Sequence, residues 1–339
     1  MKRLVIDDAI PFLEGRLENY FECVRLPGAK ISHNDLLDAD GLLVRTRTRC
    51  DAPLLEDTPV SFVATATIGI DHIDTKFCDS HGIDWQNAPG CNAPAVAQYV
   101  WRALFELGFD PASMTLGVVG KGNVGSIVTE WGRRLGAKVL VSDPPRTAVG
   151  LTDEHYIPLE ELMQSADAVT FHTPLIKKST PELDSTIHLA SARTLPLLKT
   201  GGILINAARG GIVDEQTLLD LKKEKGWKTI LDTWENEPEI NKALLSASDI
   251  STFHIAGYSL EGKQRASYAV LEGLERHFGI SLDKSGLAGP YTPPRALGEK
   301  ELRGNYDILA DDAVMRREYR LPADFERLRN TYPMRPELL

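Results

Sequence analysis

An α/β fold of two Rossmann-like, doubly wound parallel-sheet domains with a short C-terminal α+β extension is predicted by this sequence. Three observations predict it. Short β-branched runs alternate with longer amphipathic ones, a glycine-rich turn follows one such run at mid-chain, and the texture changes near Asp283. A length of 339 residues suits two domains and a little more, and 42% hydrophobic against 25% charged residues provides for a sizeable core.

Taken in order, Lys2–Ile6, Gly41–Val44 and Ser61–Ala66 read as a first series of strands. Thr115–Val119, Lys138–Ser142, Ala168–His172, Gly202–Asn206, Thr229–Asp232 and Ile250–Thr252 read as a second. Helical patterns lie between them at Pro94–Leu107, Ser126–Leu135, Leu159–Ser165 and Glu215–Lys225. Strands separated by helices imply parallel sheets with right-handed crossovers. The first series closes near Gly90–Pro94, and the long helix after it bridges to the second. From Gly286 to Arg303 the density of glycine and proline marks a linker or an irregular edge strand. The stretch Tyr306–Leu339 is too short to make a domain alone and is expected to pack on another surface, a second subunit among the candidates.

The net charge is −10, with 38 basic residues against 48 acidic ones, which argues against a surface that collects phosphate backbones or anionic lipids. No apolar run approaches the roughly 18 residues of a membrane helix, and Asp7 and Asp8 interrupt the N-terminus where a secretory signal needs apolar residues. The four cysteines contain no CxxC pair, so neither a disulfide framework nor a metal site is expected. The expected partners exclude nucleic acid and membrane, and the expected location is a reducing cytoplasm.

At mid-chain, Thr115-Leu-Gly-Val-Val-Gly120-Lys-Gly122-Asn123-Val124-Gly125 is a hydrophobic strand running into GxGxxG with a helical pattern behind it. In a Rossmann unit the first glycine makes the turn, the second admits a pyrophosphate, and the third lets helix and strand pack closely. The helix N-terminus then faces the phosphates. Asp143 ends the next strand 21 residues past Gly122 (143 − 122), the spacing of an acid that accepts from the adenosine ribose hydroxyls. Its carboxylate repels a 2′-phosphate and favours NAD over NADP, with Arg146 nearby to soften the preference. Ahead of Pro144-Pro145, the same aspartate equally suits a helix N-cap.

Three further residues follow strand-like runs: Arg209 before Gly210-Gly211, Glu237 before Pro238, and His254 in Phe253-His-Ile-Ala-Gly257-Tyr258. Oxidising a 2-hydroxy acid needs a fork of donors on the carboxylate, a base for the hydroxyl proton and a group to hold that base. Arginine, histidine and glutamate supply these in turn. Singly, each is as well explained by a salt bridge, a turn or a buried histidine; together and after a Rossmann strand they favour the chemistry.

From Lys2 to about His277 these stretches resemble the D-isomer-specific 2-hydroxyacid dehydrogenase family. A closer match, to a branch acting on a phosphorylated 2-hydroxy acid, lies in Val44-Arg45-Thr46, Thr65-Ala66-Thr67, Ala88–Ala93, Asp143–Arg146, Phe171–Leu175 and Leu260–Lys263. The resemblance implies a substrate domain of residues 1–93 plus 258–285, an NAD-binding domain of residues 94–257, and a shortened dimerisation-type extension of residues 286–339. It implies His254 as acid/base, Glu237 as its partner and Arg209 on the substrate carboxylate. NAD would lie on Gly120, Gly122, Asn123, Val124, Gly125, Asp143, Thr173, Ala207, Ala208, Asp232 and Gly257. Substrate would meet Thr46, Thr67 and Tyr258.

Arg45, Arg47 and Arg49 alternate, so an extended Val44–Cys50 would project all three to one face. Arg45 is expected on the substrate's phosphate or carboxylate, while solvent exposure is as good an account of Arg47 and Arg49. His172 and His72 are expected to be structural. Members of the closer branch extend well past the position of Leu339, and a homodimer is expected to rest mainly on the Pro94–Leu107 helix and the Rossmann domain. Rival readings are a dehydrogenase of 3-phosphoglycerate, glyoxylate or hydroxypyruvate, and an NAD-sensing corepressor-like binding protein.

Overall fold

The computed structural model describes residues 1–151, 153–178 and 184–338. The chain forms two compact units, residues 1–92 with 259–292 and residues 93–258 with 293–339. In the first, β1 (Lys2–Asp7), β2 (Phe21–Leu26), β3 (Gly41–Val44), β4 (Phe62–Thr65) and β5 (Asp84–Gln86) make one parallel sheet ordered β2-β1-β3-β4-β5. The short helices α1 (Ala52–Leu55) and α2 (Thr75–Ser80) join its later strands. Leu4, Ile6, Leu43 and Phe62 enter one hydrophobic cluster, Val5, Leu42, Val44 and Val63 another, so both faces of the sheet are buried. Strands buried on both faces lose the polar/apolar alternation and become near-continuous apolar runs. The sequence reading missed β2 and β5: one is a largely half-buried edge strand, FECVRL, without a clean alternation, the other only three residues long.

The second unit opens with α3 (Ala93–Glu106) and continues through β6 (Thr115–Val119), α4 (Asn123–Arg134), β7 (Lys138–Ser142), α5 (Pro144–Ala148) and α6 (Leu159–Ser165). It goes on with β8 (Ala168–Phe171), β9 (Ile203–Asn206), α7 (Glu215–Lys225), β10 (Lys228–Leu231), α8 (Lys242–Ala247) and β11 (Ile250–Ser251). Its parallel sheet is ordered β11-β10-β9-β8-β6-β7. Winding reverses between β6 and β8, and ligands of such sheets bind at that switch point, beyond the strand C-termini. Helix α4 starts at Asn123 rather than Ser126, because Gly122 is its N-cap.

Helix α9 (Leu260–Phe278) returns the chain to the first unit, placing Val270, Leu271 and Leu274 in the cluster of Leu4 and Phe62. The C-terminal segment then forms α10 (Glu299–Asn305), α11 (Ile308–Glu318) and α12 (Pro322–Asn330). Among the described residues it holds only an isolated bridge position at Arg335 where a β contribution was expected, and it packs within the second unit.

This packing corrects the expected dimer surface. Every residue of α3 from Ala93 to Phe105 is buried within the chain itself. Trp101 donates through Nε1 to Val128 O of α4 at 3.2 Å, Arg102 Nε to Tyr306 O at 2.9 Å, and Leu338 N–H to Gln98 Oε1 at 3.0 Å. Helices α10 and α11 cover the rest. Among the described residues, no helix is long and apolar enough to cross a membrane.

Candidate active site

The glycine turn sits at the switch point. Gly120 follows β6 with φ 89°, and a Cβ there would press on His172 O at 2.9 Å and Thr173 Cγ2 at 3.0 Å. A Cβ on Gly125 would overlap the Gly120 carbonyl, so only glycine lets α4 approach β6 this closely. Gly122 differs: a Cβ there meets nothing within 4 Å, and the approach to the N–H groups of Asn123 and Val124 is open. Thr173 adds a buried hydroxyl without a partner. An open helix N-terminus beside an unsatisfied hydroxyl fits a dinucleotide.

Asp143 is the N-cap that the sequence offered as an alternative, and it also holds the glycine turn. Its Oδ1 caps α5 by accepting from Arg146 N–H at 3.2 Å, and its Oδ2 accepts from Lys121 N–H at 2.7 Å, which ties the glycine turn to β7. A carboxylate has about four acceptor sites, so capacity for ribose hydroxyls remains. The Lys121 amine is taken by Asp153 at 3.0 Å and Glu154 at 3.2 Å. His172 is half-buried, hydrogen-bonded to Thr170 Oγ1 at 3.0 Å, and desolvation of its ring pushes its pKa down to about 3, so it stays neutral.

The expected trio comes from three adjacent strand ends of one sheet. Arg209 lies beyond β9, Glu237 beyond β10 and His254 beyond β11. Asn206 shapes the first loop: its Nδ2 donates to Arg209 O at 2.8 Å and its Oδ1 accepts from Ala208 N–H at 3.2 Å, with Ala207 between. Gly210 has no room for a side chain, since a Cβ would overlap the Trp234 backbone. The Arg209 loop is therefore docked on the Glu237 loop, and Arg209 Nη1 donates to Ala208 O at 2.8 Å.

Glu237 accepts from Trp234 N–H at 2.9 Å on Oε1 and from His254 Nδ1 at 2.8 Å on Oε2. Burial acts to raise this carboxyl, but His254, the Trp234 N–H and Arg329 outweigh it and hold it below its ordinary value. His254 adopts the left-handed conformation, φ 61°, uncommon for a side chain with a Cβ. Its N–H donates to Asp232 O at 2.8 Å. The Asp232 carboxylate, 1% exposed, accepts from Thr252 Oγ1 at 2.6 Å, Ile255 N–H at 2.8 Å and Ala256 N–H at 2.9 Å. Expected on the cofactor, Asp232 thus shapes the histidine loop. Gly257 completes that loop's turn, in which Tyr258 N–H donates to Ile255 O at 2.8 Å.

In the first unit Arg45, Thr46 and Thr67 lie beyond β3 and β4, beside that sheet's own switch point between β1 and β3. The alternation expected of Arg45, Arg47 and Arg49 fails, because β3 stops at Val44 and the chain turns. Arg47 and Arg49 are exposed, Arg49 on Asp51 at 2.7 Å, while half-buried Arg45 donates to Ala9 O at 3.3 Å. Burial and the Arg45 charge together hold the Lys263 amine below its ordinary value. Thr67 Oγ1 is hydrogen-bonded to Thr65 Oγ1 at 2.7 Å and donates to Gly69 O at 3.1 Å. His72 Nε2 joins at Thr65 Oγ1, 3.0 Å, and burial lowers its pKa against the pull of Asp71.

Sequence reasoning missed two residues here. Arg329 of α12 lies over the Tyr258 ring at 5.9 Å and acts on Glu237. Glu215 opens α7, accepts from Glu235 N–H at 2.7 Å and is 5% exposed. Neither is given a role at the site by the sequence reading. Arg329 reaches the site only because the chain doubles back after 74 residues (329 − 255), and Glu215 looks like an ordinary first-turn acid.

Residues 92–256 match the family model described as D-isomer specific 2-hydroxyacid dehydrogenase, NAD binding domain. The chain belongs to the D-isomer-specific 2-hydroxyacid dehydrogenase family and is an NAD-dependent dehydrogenase. Among its relatives are proteins named erythronate-4-phosphate dehydrogenase from Salmonella schwarzengrund, 40% identical, and Yersinia pestis, 39% identical. Each alignment covers 99% of this chain and 92% of the relative. Two solved structures share the fold at 23% identity. NAD-bound 3-phosphoglycerate dehydrogenase of Entamoeba histolytica has a TM-score of 0.65, covering 86% of this chain and 99% of that one. D-Lactate dehydrogenase of Aquifex aeolicus with NAD and lactic acid has a TM-score of 0.63, covering 86% and 100%.

Two glycine substitutions separate folding from binding. Gly125→Ala is expected to destabilise by about 1–3 kcal/mol or more through overpacking. Gly122→Ala should leave the melting temperature unchanged and weaken NAD in a fluorescence titration; unimpaired NAD affinity would contradict the reading of this turn. Glu215 gives a pH signature. Burial raises its carboxyl from 4.5 to about 7, with the Glu235 N–H opposing and the Glu235 and Glu237 carboxylates adding. The folded chain then binds this proton more tightly than the unfolded one, so stability falls as pH rises from about 4.5 to about 7. Glu215→Gln should raise the melting temperature above that window and leave it unchanged below.

Proposed function

We propose that the protein oxidises the C2 hydroxyl of 4-phospho-D-erythronate to 2-oxo-3-hydroxy-4-phosphobutanoate in the cytoplasm, a step of pyridoxal 5′-phosphate biosynthesis. The observation that carries the chemistry is the 2.8 Å bond between His254 Nδ1 and Glu237, which leaves Nε2 as the ring's working nitrogen. The substrate is supported by relatives at about 40% identity over nearly the whole chain.

Bound NAD would supply the hydride acceptor for the C2 hydrogen. His254 Nε2 accepts the hydroxyl proton, while Glu237 orients the ring and favours its protonated form. Arg209 forks onto the C1 carboxylate and polarises the C2 oxygen. The Gly120–Gly125 turn, with Asn123 and Val124, holds the pyrophosphate, and Asp143 the adenosine ribose. Thr173, Ala207, Ala208, Asp232 and Gly257 line the remainder. Thr46, Thr67 and Tyr258 contact substrate. Arg45 and Lys263, two cations acting on one another, suit the distal phosphate, which would relieve their repulsion.

A panel of 4-phospho-D-erythronate, 3-phosphoglycerate, glycerate and lactate, followed by absorbance of the reduced nicotinamide, tests the reading. The highest kcat/KM is expected for 4-phospho-D-erythronate with NAD; a preference for an unphosphorylated acid would refute the substrate and spare the family. His254→Asn should cost about 10²–10⁴ in kcat, the range of general acid–base assistance. Arg45→Ala should raise KM for the phosphorylated acid and spare an unphosphorylated analogue.

A further inference from the structure

The two loops that carry Glu237 and His254 are gripped from behind by the C-terminal segment. Arg335 is 8% exposed, and its guanidinium donates to three backbone carbonyls: Ile255 O at 3.0 Å, Ala256 O, and Ala95 O of α3 at 3.3 Å. It stacks on the Tyr306 ring at 4.2 Å. Asp311 fixes that surround, accepting from Tyr306 OH and Tyr332 OH at 2.7 Å each.

The carbonyls so held belong to the same residues whose N–H groups Asp232 accepts, Ile255 at 2.8 Å and Ala256 at 2.9 Å. The residues that follow the histidine are therefore hydrogen-bonded through both their N–H and their C=O groups, one set to an anion and the other to a cation. The Glu237 loop is treated alike by a single oxygen. Tyr319 OH accepts from Ile240 N–H at 3.1 Å and donates to Pro238 O at 3.3 Å. Asp312 holds β11 itself, accepting from Ser251 N–H at 2.7 Å.

A buried guanidinium is costly where apolar packing would serve to close the fold. What a guanidinium does that a leucine cannot is fix several carbonyls at once in a planar fork. We propose that the C-terminal segment is a strap that sets the active geometry in cis, with Arg335 positioning His254 and Tyr319 positioning Glu237. Neither side chain touches substrate; both act through the loops they hold. The inference rests on His254 and Glu237 being the acid–base pair.

The test compares Arg335→Ala, Tyr319→Phe and His254→Asn in the full-length protein, assayed below their melting temperatures. Arg335→Ala is expected to lose about 10²-fold in kcat, the effect of a misplacement near 1 Å, with KM for NAD unchanged. Guanidinium ion in the assay should restore part of that kcat, and it should not restore His254→Asn. Tyr319→Phe deletes one oxygen and keeps the ring, so it should fold and lose kcat severalfold with the same KM for NAD. A kcat within twofold of the parent in Arg335→Ala, or in Tyr319→Phe where Arg335→Ala does not fold, overturns the strap. So does loss of kcat and NAD affinity together without rescue. Full activity in His254→Asn would instead overturn the acid–base reading itself.

Discussion

The buried carboxylate of Asp232 is the contact on which the site depends. It turns the chain after β11 by accepting from Thr252, Ile255 and Ala256, and the turn forces His254 into a left-handed backbone. Such a conformation costs on the order of 1–3 kcal/mol and persists only where the surroundings over-determine it. Here they do, through the Asp232 side chain, the bond from His254 N–H to Asp232 O, and the carbonyl partners supplied by Arg335. An imidazole mounted on such a loop has little freedom to leave Glu237. The ring therefore meets its carboxylate by construction of the backbone rather than by mutual attraction alone.

Parallel topology supplies the rest of the arrangement. In a parallel sheet all C-termini lie on one rim, and neighbouring strands run about 4.8 Å apart. Arg209, Glu237 and His254 follow β9, β10 and β11, which are neighbours in that order, so residues 45 positions apart in sequence (254 − 209) come to one rim. The bare backbone of Gly210 lets the first loop settle directly on the second. The glycine turn after β6 belongs to the same rim, which places the helix N-terminus of α4 and the hydrogen-bonded His254 and Glu237 on one side of one sheet.

Much of this was legible because it is local. The GxGxxG run, its strand and the acid 21 residues past Gly122 constrain one another through backbone geometry, and the structure assigns the second and third glycines opposite kinds of space, open at Gly122 and closed at Gly125. Asp143 shows where local reading stops: capping α5 was one of the two readings the sequence offered, whereas its hold on the glycine turn through Lys121 N–H had no signal there. Of the two readings offered for Arg47 and Arg49 the exposed one holds, because alternation presumes a strand and β3 ends at Val44. Strands β2 and β5 escaped because an edge strand without clean alternation and one of three residues carry little pattern. The surface assigned to a dimer on α3 proved to be interior, since apolar helix faces look the same whichever partner covers them.

What the sequence determined by itself was the alternation of strands and helices, the glycine turn after β6, and the short stretches that carry Arg209, Glu237 and His254, each shaped by immediate neighbours. Tertiary structure alone decided that Asp232 serves the histidine loop, that Arg329, Arg335 and Tyr319 return from the C-terminus to these loops, and that α3 is covered from within. The physical reason is range. Propensity, capping and glycine geometry act over a few residues, whereas a hydrogen bond from residue 335 to residue 255 exists only after the chain between them has packed.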